Sequence, residues 1–280
     1  MSLFNTLRFI ITHPLNRAAP LAAVGRFLHW QLKSRLTTGP ILVDFVEPMR
    51  LAVSRQMYGA TQNIYCDLHE YEEMAFALHF LRPGDLFVDV GANIGSYSLL
   101  AAAAKADVIA FEPGERFNDL MRNLSVNGLS AETHKAAVGS FSGTLPFTIG
   151  LDCLNRPAMA GEKSVEVAVV RLDDAVHRDP ALIKIDVEGY EAAVLAGGAR
   201  TISSAKAVIM EINGQTARYG NEASDILRQM QAWGFRHVGY DPVARKLTPP
   251  SERDNKIFVR DEVSERLRTA PAFRTPHHVI

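Results

Sequence analysis

The residues with the clearest chemical signature lie at the ends of two successive apolar runs. Asp89 lies near the end of one run, and the turn after it carries Gly91, Asn93 and Gly95. Glycine adopts such turns without a Cβ penalty and lets a ligand approach the backbone closely. Glu112 ends the next run about twenty residues beyond the turn, where a carboxylate can bind both hydroxyls of a ribose. The spacing predicts the first half of a nucleotide-binding βαβ unit.

The turn departs from the GxGxxG fingerprint of dinucleotide-binding proteins. If Gly91 is its first glycine, Asn93 and Ser96 stand where the second and third glycines are expected. The Asp89 carboxylate would repel a pyrophosphate, whereas it suits a cationic or zwitterionic ligand. S-adenosylmethionine carries a ribose, an ammonium group, a sulfonium and no phosphate, so we expect it as the cofactor in preference to NAD. The predicted cofactor-binding residues are Asp89, Gly91, Asn93, Gly95 and Glu112.

A second group of polar residues, Lys184, Asp186 and Glu188, follows a later apolar run. Asp186 is predicted to end a strand, where the reactive groups of open α/β sheets lie, and Glu188 to begin the loop over the site. If the cofactor gives its methyl group to a hydroxyl, that hydroxyl needs a base or a metal during the transfer, because its acidity is near that of water. We expect all three residues to be catalytic, with Asp186 as the base or the partner of the acceptor oxygen and Lys184 positioning it. The alternative is a buried structural ion pair between Lys184 and Asp186.

A divalent metal is another way to activate a hydroxyl. Glu211 and Asn213 end the strand that follows the one ended by Asp186. Carboxylate and amide oxygens are ligands of Mg²⁺ and Ca²⁺. A metal held by Asp186, Glu211 and Asn213 is therefore a second hypothesis. We do not favour it, since carboxylates at strand ends more often bind substrate or loops.

The elements that must position these residues alternate between strands and helices. This alternation predicts an α/β fold with a mostly parallel, seven-stranded sheet covered on both faces. The main strands are expected at 86–90, 107–112, 132–138, 181–186, 206–212, 235–240 and 256–260. An inserted pair of strands is expected at 144–149 and 164–171. The helices are expected at 95–105, 114–127, 190–202 and 222–233.

The composition is that of an ordinary globular protein. Hydrophobic residues make up 47% of the 280 residues, and a formal net charge of −1 gives no reason to expect nucleic acid as a partner. No apolar run is long enough to cross a bilayer and the first residues lack a basic signal region, so we expect a cytoplasmic protein. Cys66 and Cys153 match no disulfide framework or metal site, and we expect both to be small buried hydrophobes.

The two ends of the chain differ from its centre. Residues 1–43 contain no acidic side chain but carry five basic ones, and their apolar residues recur at helical spacing. We expect two short amphipathic helices that pack on the core or on a second subunit; contact with an anionic membrane surface is the alternative. The tail at 261–280 is predicted to be loosely packed, with His277 and His278 as an unordered pair. The expected segments are a basic helical extension, a central domain and a tail: 1–43, 44–260 and 261–280.

Five motifs occur in order along the central domain. They are Phe87-Val-Asp-Val-Gly-Ala-Asn-Ile-Gly95, Ala110-Phe-Glu-Pro113, Asn123-Leu-Ser-Val-Asn127, Leu172-Asp173-Asp174 and Ile183-Lys-Ile-Asp-Val-Glu-Gly-Tyr-Glu191. As a set they closely resemble the FkbM family of S-adenosylmethionine-dependent methyltransferases, over residues Tyr58 to Asn213. The resemblance implies a class I methyltransferase fold and O-methylation of hydroxyls on sugars, glycans or other small-molecule natural products. Asn213 departs from the family pattern, which often has histidine there.

Two other functions are weighed against this expectation. A nicotinamide-dependent oxidoreductase is disfavoured by the missing second and third glycines of the turn. A non-catalytic, cofactor-binding module that works through the basic N-terminal extension is disfavoured by the presence of Lys184, Asp186 and Glu188. We therefore expect an S-adenosylmethionine-dependent O-methyltransferase with a small-molecule or glycan acceptor.

Overall fold

The computed structural model describes residues 3–55, 57–151, 154–260 and 263–280, so the prediction for Cys153 lies outside the described residues. The first elements along the chain are α1 (Leu3–Thr12), α2 (Pro20–Leu36), β1 (Ile41–Asp44), β2 (Arg50–Val53), α3 (Tyr58–Cys66) and α4 (Tyr71–Phe80). The central elements are β3 (Leu86–Val90), α5 (Ser96–Ala103), β4 (Asp107–Phe111), α6 (Phe117–Val126), β5 (Glu132–His134), β6 (Ala136–Val138), β7 (Gly143–Thr148) and β8 (Ser164–Val170). The last elements are α7 (Leu172–Ala175), β9 (Leu182–Ile185), α8 (Glu191–Gly197), α9 (Ala199–Ser204), β10 (Ala207–Glu211), α10 (Ala223–Ala232), β11 (Arg236–Asp241), β12 (Lys246–Thr248), β13 (Asn255–Val259) and α11 (Ser264–Arg268).

A mixed sheet forms the centre of the fold, with the strand order β12-β11-β13-β10-β9-β3-β4-β5. The strands β3, β4, β5, β9 and β10 run parallel, and β13 lies antiparallel between β10 and β11. Every residue of β3 and β9 is buried, because helices cover both faces of a parallel sheet. The predicted α/β fold with a mostly parallel central sheet is confirmed, although the main sheet has eight strands where seven were predicted.

The strand order reverses beside β3, whose neighbours are β4 on one side and β9 on the other. Chain segments leave such a point in opposite directions and open a crevice at the carboxyl ends of the strands. Asp89 lies near the carboxyl end of β3, and Asp186 directly follows β9. The topology therefore brings the two groups of polar residues found in the sequence to one edge of the sheet.

The segment predicted as one strand at 132–138 is divided between two sheets. β5 ends in the main sheet at His134, and β6 begins at Ala136 and pairs with β8, which in turn pairs with β7. The predicted inserted pair is thus a three-stranded sheet. The prediction also misses β12 at the edge of the main sheet. The helix predicted at 190–202 is broken into α8 and α9 at Gly198, whose backbone is not helical (φ −130°, ψ 22°).

The N-terminal helices bury one face on the rest of the molecule. α1 contacts α2, and α2 contacts α3. Ile10, Phe27 and Trp30 are buried in the main hydrophobic core, as expected for an extension that packs on it. The β1–β2 hairpin begins at Ile41. In the described ranges, none of the helices combines the length and the apolar character needed to cross a bilayer.

The C-terminal tail is packed, so the prediction of a loose tail is wrong. Phe273 and Ile280 are buried and exchange two backbone hydrogen bonds. His277 and His278 are not an unordered pair, since the Nδ1 atom of each ring lies 2.8 Å from a carboxylate oxygen of Asp67. The sequence does not reveal this contact because Asp67 precedes His277 by 210 residues.

Candidate active site

One cavity opens at the carboxyl ends of β3, β4, β9 and β10. Its wall contains the three predicted catalytic residues and four of the predicted cofactor-binding residues: Lys184, Asp186, Glu188, Asp89, Gly91, Asn93 and Glu112. Gly95 and Asn213 do not line it. The structure therefore joins the two groups of residues that the sequence placed on separate strands.

Two glycines with positive φ shape the turn after β3. Gly91 has a φ of 84°, and a Cβ on it would lie 1.8 Å from the carbonyl oxygen of Asp186. Gly95 has a φ of 90°, and its Cβ would lie 2.6 Å from Cδ1 of Leu120 on α6. Only glycine combines this backbone conformation with such close contacts. Gly91 thus lets the two strand ends meet at the cavity, whereas Gly95 lets α6 pack against the turn.

Asp89 lies in the wall of the cavity and is almost fully buried. Its Oδ2 atom accepts a hydrogen bond of 2.6 Å from the Ser98 hydroxyl on α5. Burial raises the pKa of Asp89 to about 6. A cation beside the carboxylate would favour its ionised form and reverse this shift. The position therefore suits a positively charged ligand.

Glu112 is held by two backbone N–H groups at the end of β4. Asn93 N–H donates to Oε2 at 2.9 Å, and Gly114 N–H donates to Oε1 at 2.8 Å. Asn93 thus serves through its backbone, in a left-handed conformation with a φ of 52°. Each carboxylate oxygen keeps a second lone pair for the hydroxyls of a ribose. Burial raises the pKa of Glu112 to about 7.

Lys184 holds Asp186 at the edge of the cavity. Its ammonium nitrogen lies 3.0 Å from Asp186 Oδ2 and 3.1 Å from Asn255 Oδ1. Burial alone would lower the pKa of Lys184, but the carboxyl groups of Asp186, Glu70 and Glu211 raise it above its ordinary value. Lys184 is 1% exposed, whereas the Asp186 side chain is 34% exposed. The ion pair is therefore buried at its lysine end and open to a ligand at its carboxylate end.

Three carboxyl groups from two neighbouring strand ends lie close together. One oxygen of each of Asp186, Glu188 and Glu211 lies within 4.8 Å of the others. Burial, with the Asp186 charge as the next cause, raises the pKa of Glu211 to about 9 and that of Glu188 to about 7. Like charges this close cannot all stay ionised without a cation. A further cation bound at the cluster would favour the ionised forms of Glu188 and Glu211.

The set of residues that could hold a metal differs from the predicted one. Asn213 does not join the cluster, because its side-chain oxygen accepts the backbone N–H of Gln215 at 2.8 Å. Within the described parts of the chain, the group that could hold an ion is Asp186, Glu188 and Glu211. The Lys184 ammonium already lies against Asp186, so a metal would compete with a cation that the chain itself supplies.

The three-stranded sheet of β6, β8 and β7, called the second sheet below, forms the outer wall of the cavity together with a pair of tyrosines. Phe147 on β7 and Asn155 and Pro157 in the next loop line it. Tyr190 lines it as well and contacts the ring of Tyr219 edge-on, with the ring centroids 5.3 Å apart. The Tyr219 hydroxyl donates to the Pro157 carbonyl at 2.7 Å. This contact ties the loop of the second sheet to the main domain over the cavity.

His69 and Glu70 are among the polar residues of the cavity wall that the motifs do not include. Glu70 accepts hydrogen bonds from the Tyr97 hydroxyl at 2.6 Å and from the Asn255 amide at 2.7 Å. The His69 ring lies between Glu70 and Asn63. The sequence offers only a histidine beside a glutamate before a helix, a pairing that many surface segments share.

Comparison with known proteins identifies relatives. Residues 89–237 match the family described as "Methyltransferase FkbM domain". Hexuronic acid methyltransferase AglP of Haloferax volcanii is 29% identical over 150 residues, which cover 51% of this chain and 62% of AglP, less than two thirds of its length. The 31-O-demethyl-FK506 methyltransferase FkbM of Streptomyces tacrolimicus is 30% identical over 201 residues, which cover 55% of this chain and 76% of that protein.

A solved structure of methyltransferase FkbM from Methylobacillus flagellatus superposes with a TM-score of 0.43 at 17% identity, covering 71% of this chain and 54% of that one. The family match is the stronger finding, since residues 89–237 make up more than half of the chain. The matched segment includes Asp89, Glu112 and Asp186. The resemblance of the motifs is thereby confirmed, and the chain belongs to the FkbM family of methyltransferases.

Proposed function

We propose that this protein is an S-adenosylmethionine-dependent O-methyltransferase that acts on a hydroxyl of a sugar, a glycan or a related natural product. Membership of a methyltransferase family supports methyl transfer. The relative named for 31-O-demethyl-FK506 supports an oxygen acceptor, and the relative named for hexuronic acid supports a sugar. The observation that carries the proposal is that Glu112 and the Lys184–Asp186 pair line one cavity.

The donor set of the cavity fits a cofactor with a ribose and positive charge. Glu112 offers carboxylate oxygens to the ribose hydroxyls, and Asp89 offers a negative charge beside the glycine turn. Gly91 keeps the turn free of a side chain, and Asn93 orients Glu112 through its backbone. Bound S-adenosylmethionine supplies a methyl group on a cationic sulfur that leaves as a neutral thioether.

Three residues at the end of β9 are proposed to serve the acceptor. Asp186 accepts a hydrogen bond from a hydroxyl of the acceptor and so holds the acceptor in place. Lys184 sets the position of that carboxylate from the buried side, 3.0 Å from Oδ2. Glu188, held in the loop with a φ of 53°, lies over the acceptor. Alignment of the hydroxyl oxygen with the methyl carbon and sulfur is a large part of the rate enhancement in such in-line displacements.

The first test is calorimetric titration of the purified protein with S-adenosylhomocysteine, with NAD as the control. Micromolar binding of S-adenosylhomocysteine alone is the expected result. Binding of NAD alone would favour the oxidoreductase alternative and contradict the roles given to Asp89 and Asn93. A protein that binds S-adenosylhomocysteine but transfers no labelled methyl group to any of a panel of glycosides would favour the non-catalytic alternative.

The outer face of α1 and α2 is both apolar and basic. Among the described residues, eight large apolar side chains are at least 60% exposed, and six of these lie within residues 3–36. On α2 they are Leu21, Leu28, Leu32 and Leu36. Their spacing of seven, four and four residues places them on one face of the helix, and Lys33 and Arg35 are exposed on the same helix.

We further propose that this face binds the surface of an anionic membrane. Exposed leucines insert at the boundary between headgroups and acyl chains, and nearby cations bind acidic lipids. Residues 1–43 carry five basic side chains and no acidic one, so pairing this segment with its copy in a second subunit would bring like charges together. A membrane surface is therefore favoured over a second subunit as the partner of this face.

Flotation with phosphatidylcholine vesicles, with and without phosphatidylglycerol, tests the membrane proposal. We expect binding only to the anionic vesicles, weakened by salt and lost in the triple variant Leu21→Ser, Leu28→Ser, Leu32→Ser. Val243→Ser, at another exposed apolar residue, is the matched control and should bind as the unmodified protein does. A dimer that the triple variant dissociates, with no vesicle binding, would contradict the proposal.

A further inference from the structure

His69 lies in the wall of the cavity, in the loop between α3 and α4, with its side chain 18% exposed. It belongs to none of the motifs, and the roles proposed above do not use it. Its carbonyl oxygen lies 3.3 Å from Nε2 of His13, which holds the loop against the N-terminal region. The side chain of His69 can therefore contact a ligand in the cavity while the contact with His13 fixes its backbone.

The contacts of Asn63 determine which ring nitrogen of His69 carries the proton. The backbone N–H of His69 donates to Asn63 Oδ1 at 3.1 Å, and His69 Nδ1 lies 3.0 Å from the same oxygen. A backbone N–H can only donate, so the amide atom that it faces is the oxygen and not the nitrogen. Two donors therefore converge on Oδ1, and Nδ1 is the protonated nitrogen. This leaves the lone pair of the neutral ring on Nε2.

The surroundings of Nε2 suit a group that gains a proton during turnover. Glu70 Oε1 lies 3.8 Å from Nε2, and the hydrogen bonds from Tyr97 and Asn255 keep Glu70 in place. Burial lowers the pKa of His69 more than the charge of Glu70 raises it, and Lys184 lowers it further. Neutral imidazole is therefore the resting form near neutral pH, and Glu70 stabilises the imidazolium once it forms.

We propose that Nε2 of His69 is the base that takes the proton of the acceptor hydroxyl, with Asn63 as the positioning residue that fixes the tautomer. The inference rests on the proposed O-methyltransferase function. The oxygen–methyl bond forms as the sulfur–methyl bond breaks, the electron pair of that bond goes to sulfur, and the hydroxyl proton goes to Nε2. The imidazolium then releases the proton to water.

This role also specifies the acceptor. A hydroxyl has one proton to give, so Asp186 must accept from a second hydroxyl of the same molecule when His69 takes the first. The two proposed roles together favour a polyhydroxylated acceptor, such as a sugar ring, over an isolated alcohol. An acceptor that lacks the neighbouring hydroxyl should bind and react more weakly.

Nitrogen NMR of the histidine rings tests the tautomer without an acceptor. The His69 signals are assigned by their loss in His69→Gln. We expect proton attachment at Nδ1 near neutral pH, and titration below the ordinary histidine pKa of about 6.5. In Asn63→Asp, which keeps an acceptor beside Nδ1 and adds a charge, the titration should move to higher pH. A ring protonated at Nε2 would overturn the proposal.

Kinetics with the best acceptor from a panel of methyl glycosides test the base. We expect His69→Gln to lower kcat by roughly 10² to 10⁴-fold and to remove the acid limb of the pH profile, while S-adenosylhomocysteine binding is unchanged. His237→Gln, on β11 away from the cavity, is the matched control and should keep both. Unchanged kcat in His69→Gln would overturn this inference alone, whereas failure of the unmodified protein to bind S-adenosylhomocysteine would overturn the proposed function.

Discussion

The two halves of the cavity wall hold their carboxylates in different ways. In the half that follows β3 and β4, both oxygens of Glu112 accept backbone N–H groups, and Asp89 accepts a hydroxyl from the adjoining helix. In the half that follows β9 and β10, Asp186 is paired with the Lys184 ammonium, and Glu211 shares the space around it. Backbone dipoles hold a carboxylate without neutralising it, whereas a lysine gives it a counter-ion. We therefore expect the first half to govern cofactor affinity and the second to govern turnover.

The largest expected effect comes from Gly91→Ala, where the two halves meet. The new Cβ would lie 1.8 Å from the carbonyl oxygen of Asp186, so the strand ends must separate. We expect several kcal/mol of lost stability by urea unfolding, together with loss of S-adenosylhomocysteine binding. Gly84→Ala is the matched control, since Gly84 has a similar φ of 81° and nothing within 4 Å of its Cβ. It should lose only about 1–2 kcal/mol of stability, the cost of placing a side chain on a left-handed backbone. Equal losses in the two variants would show that the halves do not depend on this contact.

Asp186→Asn should separate turnover from cofactor binding. The amide keeps the shape of the carboxylate but weakens its pairing with Lys184 and its bond to the acceptor. We expect kcat to fall by roughly 10²-fold, with the dissociation constant of S-adenosylhomocysteine within a few-fold of the unmodified value. Stopped turnover assays and calorimetry on the same preparation measure both quantities. A large loss of cofactor affinity with normal kcat would reverse the assignment of the two halves.

Glu112→Gln should have the opposite profile. One oxygen is replaced by an NH₂ group, which then faces a backbone N–H instead of accepting from it. Hydrogen bonds to a charged group contribute about 1.5–3 kcal/mol, so we expect S-adenosylhomocysteine to bind roughly 10 to 10²-fold more weakly. At saturating cofactor, kcat should be nearly unchanged. A variant with normal affinity would show that Glu112 supports the turn and does not bind the ribose.

The same difference explains what the sequence could reveal. The half around Glu112 is built from segments that are close in the sequence, and its turns need backbone conformations that only certain residues adopt. Its residues can therefore be recognised as a motif in the sequence. The other half is predictable only in part: Lys184, Asp186 and Glu188 stand in one motif. Asn255 on β13 and Glu70 before α4 are far apart in the sequence and meet only in the folded chain. The sequence also did not predict that the strand at 132–138 would divide into β5 and β6, because strand propensity does not show which sheet a strand joins. Periodicity therefore predicts elements and local turns, and long-range pairing completes the site.

A smaller effect is expected on the pH dependence of stability. Burial and Asp186 raise the pKa of Glu211 to about 9, so the folded chain keeps a proton that the unfolded chain has lost. Stability should consequently fall as pH rises from about 6.5 to about 8, by up to about 1.4 kcal/mol per pH unit for one proton. Urea unfolding across this range should show a flatter profile for Glu211→Gln. Glu252→Gln, at an exposed position, should keep the slope. An unchanged slope in Glu211→Gln would mean that another group holds the proton.

The smallest effect is expected from removal of divalent metals. Asp186, Glu188 and Glu211 could together hold an ion, but the Lys184 ammonium lies 3.0 Å from Asp186 and the raised pKa of Glu211 leaves that group protonated near neutral pH. A divalent ion would have to displace this proton and oppose the lysine charge at close range. We therefore expect turnover after exhaustive EDTA treatment to equal that of the untreated protein.

Lys184→Met sharpens the test, because it removes the cation that lies against Asp186. If the three carboxyl groups can bind Mg²⁺ once the lysine is gone, added Mg²⁺ should raise the stability of this variant and leave that of the unmodified protein unchanged. If EDTA removed the activity and Mg²⁺ restored it, the half that follows β9 and β10 would be a metal site. The two halves would then differ in that backbone N–H groups hold the carboxylate of one and a metal ion holds the carboxylates of the other.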